Sequence, residues 1–274
     1  MKKKTKKNNK KKTVKIGKYD IALGHFIETV IACILLITII LSPKRALIVT
    51  QRYNSGTPEQ NNSVKVALGE ENTEQKYKRY FWWYNVLHEI GHGVMKYNSN
   101  QKMNDAEAEQ LVNNFAYAYW DYYGNQEELA EVEEIINYAY DHIQNEEGRK
   151  MDYMEYAKKN WNKNSFYTFD KYGYFQFSCM KETFKNKKDL ETVLKEMGVK
   201  NAKLTNQRTL KYETIDKETV DQIIKDAVDN IHEWGLEFPP VIHKYTNNPY
   251  YSYFKPMKRV LYPLEKLFNW DLSD

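Results

Sequence analysis

Two histidines four residues apart, with a glutamate between them, stand in the segment Val86-Leu87-His88-Glu89-Ile90-Gly91-His92-Gly93. On an α-helix that spacing stacks the two imidazoles on one face, so both can reach a single metal ion at about 2.0–2.1 Å. Glu89 is rotated off the histidine stripe. It is not expected as a ligand, but it stays close enough to touch a water on the metal, where a carboxylate acts as general base. The chemistry open to these residue types is metal-assisted hydrolysis.

A catalytic zinc usually has three protein ligands and one open position, so the histidine pair requires a third donor. After a polar break at residues 98–104, a second helix over about residues 105–123 offers Glu107 and Glu109. Residues two apart on a helix point about 200° apart, and only one of the two glutamates can face the histidines. Glu109 shares a side with Val112, Asn113 and Ala116, bordering an apolar face of Ala108, Leu111, Phe115 and Tyr119. Glu107 points away. Glu109 is therefore the expected third ligand, and Asn113, one turn on, is placed to accept a hydrogen bond from a ligand histidine's other ring nitrogen. Two histidines on an amphipathic helix can also be ordinary core or surface residues, but a correctly phased Glu109 after a short loop argues against coincidence. His25, His142, His232 and His243 show no ligand spacing and are read as structural or surface residues.

With these residues in place the chain resembles the gluzincin metallopeptidases. The run H-E-I-G-H-G, a short polar loop and then E-Q-L-V-N-N-F-A look most like the ImmA/IrrE group, with Val112 where alanine is usual. The resemblance covers about residues 77–123. It implies a zinc-dependent endopeptidase acting on a polypeptide substrate, with one zinc ion on His88, His92 and Glu109 and with Glu89 as general base. A gluzincin also uses a His, Tyr or Arg to steady the developing oxyanion, and no motif singles one out among 23 tyrosines.

The elements that must position these residues are mostly helical in pattern. One helix is expected over about residues 74–97, a second over 105–123 ended by Gly124, and a third over 126–144. Between residues 166 and 180 the run FYTFDKYGYFQFSCM alternates Tyr174, Gln176 and Ser178 against Phe175, Phe177 and Cys179, which predicts a small sheet or hairpin. Two amphipathic helices follow, one ending before Gly198 and the other before Gly235. Residues 44–75 read as a polar linker with a short strand at Val64-Lys65-Val66. The expected class is α+β: a mainly helical zincin-like domain with a small β-sheet, its catalytic core at residues 76–165. Residues 166–274 are either a C-terminal α+β part of that domain or a small second domain.

Charge separates the N-terminal region from the rest. Residues 1–20 hold ten lysines against Asp20, whereas from Ser42 onward there are 31 basic and 35 acidic residues. The body thus has no general attraction for nucleic acid, and no specific nucleic-acid partner is expected. The two cysteines, Cys33 and Cys179, can build neither a disulfide framework nor a cysteine zinc site. After the lysine-rich tail, residues 21–43 are mainly apolar and reach the length of about 20 residues that a bilayer needs. They are read as a transmembrane signal anchor, ahead of a cleaved signal peptide or a buried element of a soluble domain. The lysine excess then keeps the N-terminus in the cytoplasm and places the catalytic domain outside. The leading function is a membrane-anchored zinc peptidase. Its alternatives are a non-catalytic zincin-fold scaffold of a membrane complex, or a soluble cytoplasmic peptidase of the repressor-cleaving kind.

Overall fold

The computed structural model of the chain describes residues 13–16, 19–22, 45–204 and 208–246. Strands β1 (Thr13–Ile16) and β2 (Tyr19–Ala22) pair antiparallel. The anchor predicted at residues 21–43 lies outside the described residues except for Ile21 and Ala22, which belong to β2. Among the described residues, no helix is long and apolar enough to cross a membrane.

The stretch expected as a linker over residues 44–75 is ordered into strand β3 (Ala46–Gln51), helix α1 (Pro58–Leu68) and helix α2 (Thr73–Tyr77). Val64, Lys65 and Val66 are therefore helical, not a strand. The reason is a reciprocal cap. Thr57 Oγ1 accepts from the Gln60 backbone N–H, the Gln60 side chain accepts from the Thr57 N–H, and Pro58 is preorganised for the first turn.

The helix predicted around the histidine pair is continuous but not uniform. After α2 the backbone widens into a π-helical stretch, Lys78–Tyr84, before helix α3 (Asn85–Asn98). That stretch buries Tyr80, Trp82, Trp83 and Tyr84 together, which a regular 3.6-residue turn could not do with one face alone. Helix α4 (Asp105–Tyr122) starts at Asn104, whose side chain accepts from the Glu107 N–H, and helix α5 (Gln126–His142) follows. Gly124 ends α4 as expected, in the left-handed region at φ 75°. Trp83 stacks on Trp120 of α4 with ring centroids 4.1 Å apart and planes within 9°. Both rings are buried, and such a pair contributes about 0.5–1.5 kcal/mol beyond its area.

The hairpin expected over residues 166–180 is absent: a second π-helical stretch, Phe169–Gly173, runs into α7 (Tyr174–Asn186), preceded by α6 (Tyr153–Asn160). Helix α7 packs against α4, α5 and α6. It is covered on several sides, so Tyr174, Phe175, Phe177, Cys179 and Met180 are all buried and no single apolar stripe marks its period. The aromatic alternation had imitated a strand. Helices α8 (Leu190–Glu196) and α9 (Lys217–Glu233) lead to strand β4 (Val241–Thr246). It pairs in parallel with β3, from Ala46 opposite Val241 to Gln51 opposite Thr246. The architecture is α+β: mainly helical, with a small two-stranded parallel sheet. Helix α3 lies against α4, α9 and β3.

Candidate metal centre

The helical spacing of His88 and His92 puts their rings edge to face, with centroids 5.0 Å apart. Gly91 between them lets α4 come close. A Cβ on Gly91 would lie 3.0 Å from a Phe115 ring carbon and 3.1 Å from Val112 Cβ, so a side chain there would push the two helices apart. Across this contact Glu109 Oε2 is 3.2 Å from His88 Nε2, and Oε1 is 3.7 Å from His92 Nε2. One donor atom from each of the three residues falls within 4.8 Å of the others. Glu107, by contrast, points outward and pairs with Lys158 Nζ at 2.7 Å.

The donors sit in a directed ring of hydrogen bonds. His88 Nδ1 lies 3.1 Å from Asn113 Oδ1, as expected of Asn113. Asn113 Nδ2 donates to Gln176 Oε1 at 3.1 Å and to the Glu109 carbonyl at 2.9 Å. Gln176 Nε2 then donates to Glu109 Oε2 at 2.6 Å and to the Tyr172 hydroxyl at 2.8 Å. Each amide has only one orientation that satisfies all its partners. Asn113 must present its oxygen to His88, so His88 Nδ1 carries a proton, and Nε2 is the ring nitrogen that faces Glu109. Gln176 and Tyr172 were not identified from sequence. Their signal was there, because they are four apart in a helical run, but the segment read as a strand, in which they carried no relation to α4.

Electrostatics agree with a site built for a cation. Burial raises the Glu109 carboxyl, but the hydrogen bond and charge of His88, then the charge of His92 and the Gln176 contact, outweigh it and hold Glu109 well below the usual carboxylate range. Burial opposes the charged form of His88, yet the Glu109 hydrogen bond and charge, with Glu89 and Asn113 behind them, raise it above its ordinary value. His92 is held below its ordinary value by burial and then by repulsion from His88, against the pull of Glu109. Its side chain keeps 39% of its surface exposed, so burial acts on it less completely than on His88. Among the described residues no Lys or Arg pairs with Glu109, whose side chain is only 12% exposed. A buried carboxylate facing two imidazoles, with no fixed cation, is a donor set that fits a metal ion. The group could hold one.

Glu89 leaves this cluster on the side that borders a cleft between β3, the first π-helical stretch and α3. Asn85 Nδ2 approaches its Oε1 at 3.4 Å. The remaining described histidines are engaged elsewhere. His142 Nδ1 meets the Tyr138 carbonyl, His232 Nε2 meets the Phe238 carbonyl, and His243 bridges Thr50 and Asp221 at 2.6 Å on each side. His25 lies outside the described residues. Comparison with known proteins gives no match to any family model, curated protein or solved structure.

Proposed function

We propose that the chain is a zinc-dependent peptidase of zincin-like fold, with His88, His92 and Glu109 as ligands and Glu89 as general base. The observation that carries the reading is the convergence of two imidazole nitrogens and a buried carboxylate from α3 and α4, with Glu89 one helical step away at the edge of a cleft. Two imidazoles and a carboxylate are the donor set of many catalytic zinc sites. Zinc bound there supplies Lewis acidity, polarising a carbonyl oxygen and lowering the pKa of a water molecule. Asn113 and Gln176 hold the ligands in place, so the site loses little geometry on binding. Glu89 accepts a proton as the water oxygen attacks the peptide carbonyl carbon. It then delivers that proton to the amide nitrogen as the C–N bond breaks, which leaves a carboxylic acid and an amine. The test is metal analysis of the purified chain together with a peptide-cleavage assay. One zinc per chain, with cleavage abolished by a chelator and restored by zinc, is the expected result; cleavage that persists without metal would sink the reading.

The histidine electrostatics give a pH dependence. Because His88 is raised above its ordinary value, near pH 6 it carries a proton that a metal must displace, whereas His92, lowered to about 4, is neutral there. Metal binding should therefore release about one proton, and apparent affinity should fall about tenfold per pH unit below the folded value of His88, levelling off above it. Calorimetric titration with zinc in buffers of different ionisation enthalpy measures the proton count. No release near pH 6 would contradict the assignment.

Gln176 supplies a further expectation. Gln176→Ala removes the donor to Glu109 Oε2 and the acceptor for Asn113 Nδ2 together. Loss of such outer partners typically lowers metal affinity by about 10–100-fold. Gln176→Glu keeps the shape but sets one carboxylate against another, and should be worse than alanine if the contact acts through charge. Competition against a chelating dye reads both, and unchanged affinity would show that the contact positions nothing.

A further inference from the structure

The cleft bordered by Glu89 has a volume of 220 Å³ and mostly apolar walls: Ile48 and Val49 of β3, Val64 of α1, Phe81 and Trp82 of the π-helical stretch, and Val86 of α3. Sites that take whole small molecules span about 300–1,000 Å³, so this one is sized for a single side chain. Its walls are fixed in advance. The Tyr77 hydroxyl and Trp82 Nε1 both donate to the Gln51 carbonyl, at 3.1 and 3.0 Å, and the Tyr77 and Phe81 rings meet with centroids 4.5 Å apart. An occupant therefore pays little ordering cost on entry. Among the described residues that line the cleft there is no Lys or Arg, and Glu89 is the one carboxylate. An acidic group would lose its hydration among these mostly apolar walls, while an apolar group gains by leaving water.

We propose that this cleft is a specificity pocket that takes a large apolar side chain, aromatic or branched aliphatic, beside the bond that is cut. The proposal rests on the peptidase reading, because it is Glu89 that ties the pocket to the reaction. A polypeptide whose scissile carbonyl lies within reach of Glu89 places a neighbouring side chain in the cleft.

Two measurements on the zinc-loaded full chain test it. The first is cleavage of a fluorescence-quenched peptide set that varies one position at a time among Phe, Leu, Ala, Asp and Lys. One position should prefer Phe or Leu over Asp by tenfold or more in kcat/KM, the lower end of the roughly 10–200-fold that apolar pockets deliver. Val64→Glu should reverse this, lowering the Phe peptide and raising the Lys peptide, a change of sign that a merely loosened fold would not give. The second is binding alone: 5-fluorotryptophan labelling, with the Trp82 signal identified through Trp82→Phe, titrated with N-acetyl-phenylalaninamide and with N-acetyl-aspartamide. The Trp82 signal should move with the first probe and not with the second. An unmoved signal, or an equal response to both probes, overturns the pocket whatever the catalytic outcome. A responding pocket in a chain that cuts none of the peptides sinks the peptidase reading instead and leaves the apolar site standing.

Discussion

Glu89→Gln is expected to keep one metal ion per chain while lowering peptide turnover by about 10²–10⁴-fold, the range typical for losing a positioned general base. Metal content should hold because the donor cluster is His88, His92 and Glu109, and Glu89 is not part of it. Turnover should fall because an amide cannot take up a proton from the attacking water. The substitution is close to isosteric, and Asn85 Nδ2 can still approach an oxygen at that position, so the local helix has no reason to rearrange. Metal analysis and turnover on the same preparation separate the outcomes. Unchanged turnover would remove Glu89 from the reaction, and loss of metal would mean that it is a ligand after all.

The parts of this site that were legible in the sequence share one property: they depend on helical phase within a single element or between two adjacent ones. The stacking of His88 on His92, the choice of Glu109 over Glu107 and the reach of Asn113 all follow from 3.6 residues per turn. Helix α3 was legible for the same reason, since its buried Val86, Leu87, Ile90, Gly91 and Val94 fall on one face, whereas α4, buried throughout from Val112 to Trp120, was bounded by the polar break before it and Gly124 after it. Helix α7 has no such asymmetry, being packed on by α4, α5 and α6. Its aromatic run therefore imitated a strand, and with it went Gln176, the residue that links Glu109 to Asn113. Residues 44–75 were lost differently. Their polar composition described surface-facing positions, while the signals that order them are a cap at Thr57 and a pairing of β3 with a strand nearly two hundred residues later, which local pattern does not encode.

Glu109→Ala and Glu107→Ala should give opposite results, although the two glutamates are two residues apart on one helix. Glu109 brings Oε2 to 3.2 Å from His88 Nε2 and Oε1 to 3.7 Å from His92 Nε2, and it is the only carboxylate in the donor cluster. Removing it leaves two neutral imidazoles for the ion and leaves the Gln176 amide nitrogen with the Tyr172 hydroxyl as its remaining partner. Zinc affinity should drop by more than the 10–100-fold or so that changes to the ligands' outer partners produce, and activity should go with it. Glu107 contributes an exposed pair with Lys158 in the first turn of α4, and surface pairs of that kind contribute little. Its removal should leave zinc content and turnover nearly intact. Asn113→Ala should fall between the two, because it frees His88 Nδ1 and breaks the ring without removing a donor to the metal. Zinc stoichiometry, affinity and turnover measured on all three variants rank them. If Glu107→Ala proves to be the variant that cannot hold metal, α4 presents its other face to the histidines and the ligand set assigned here is wrong.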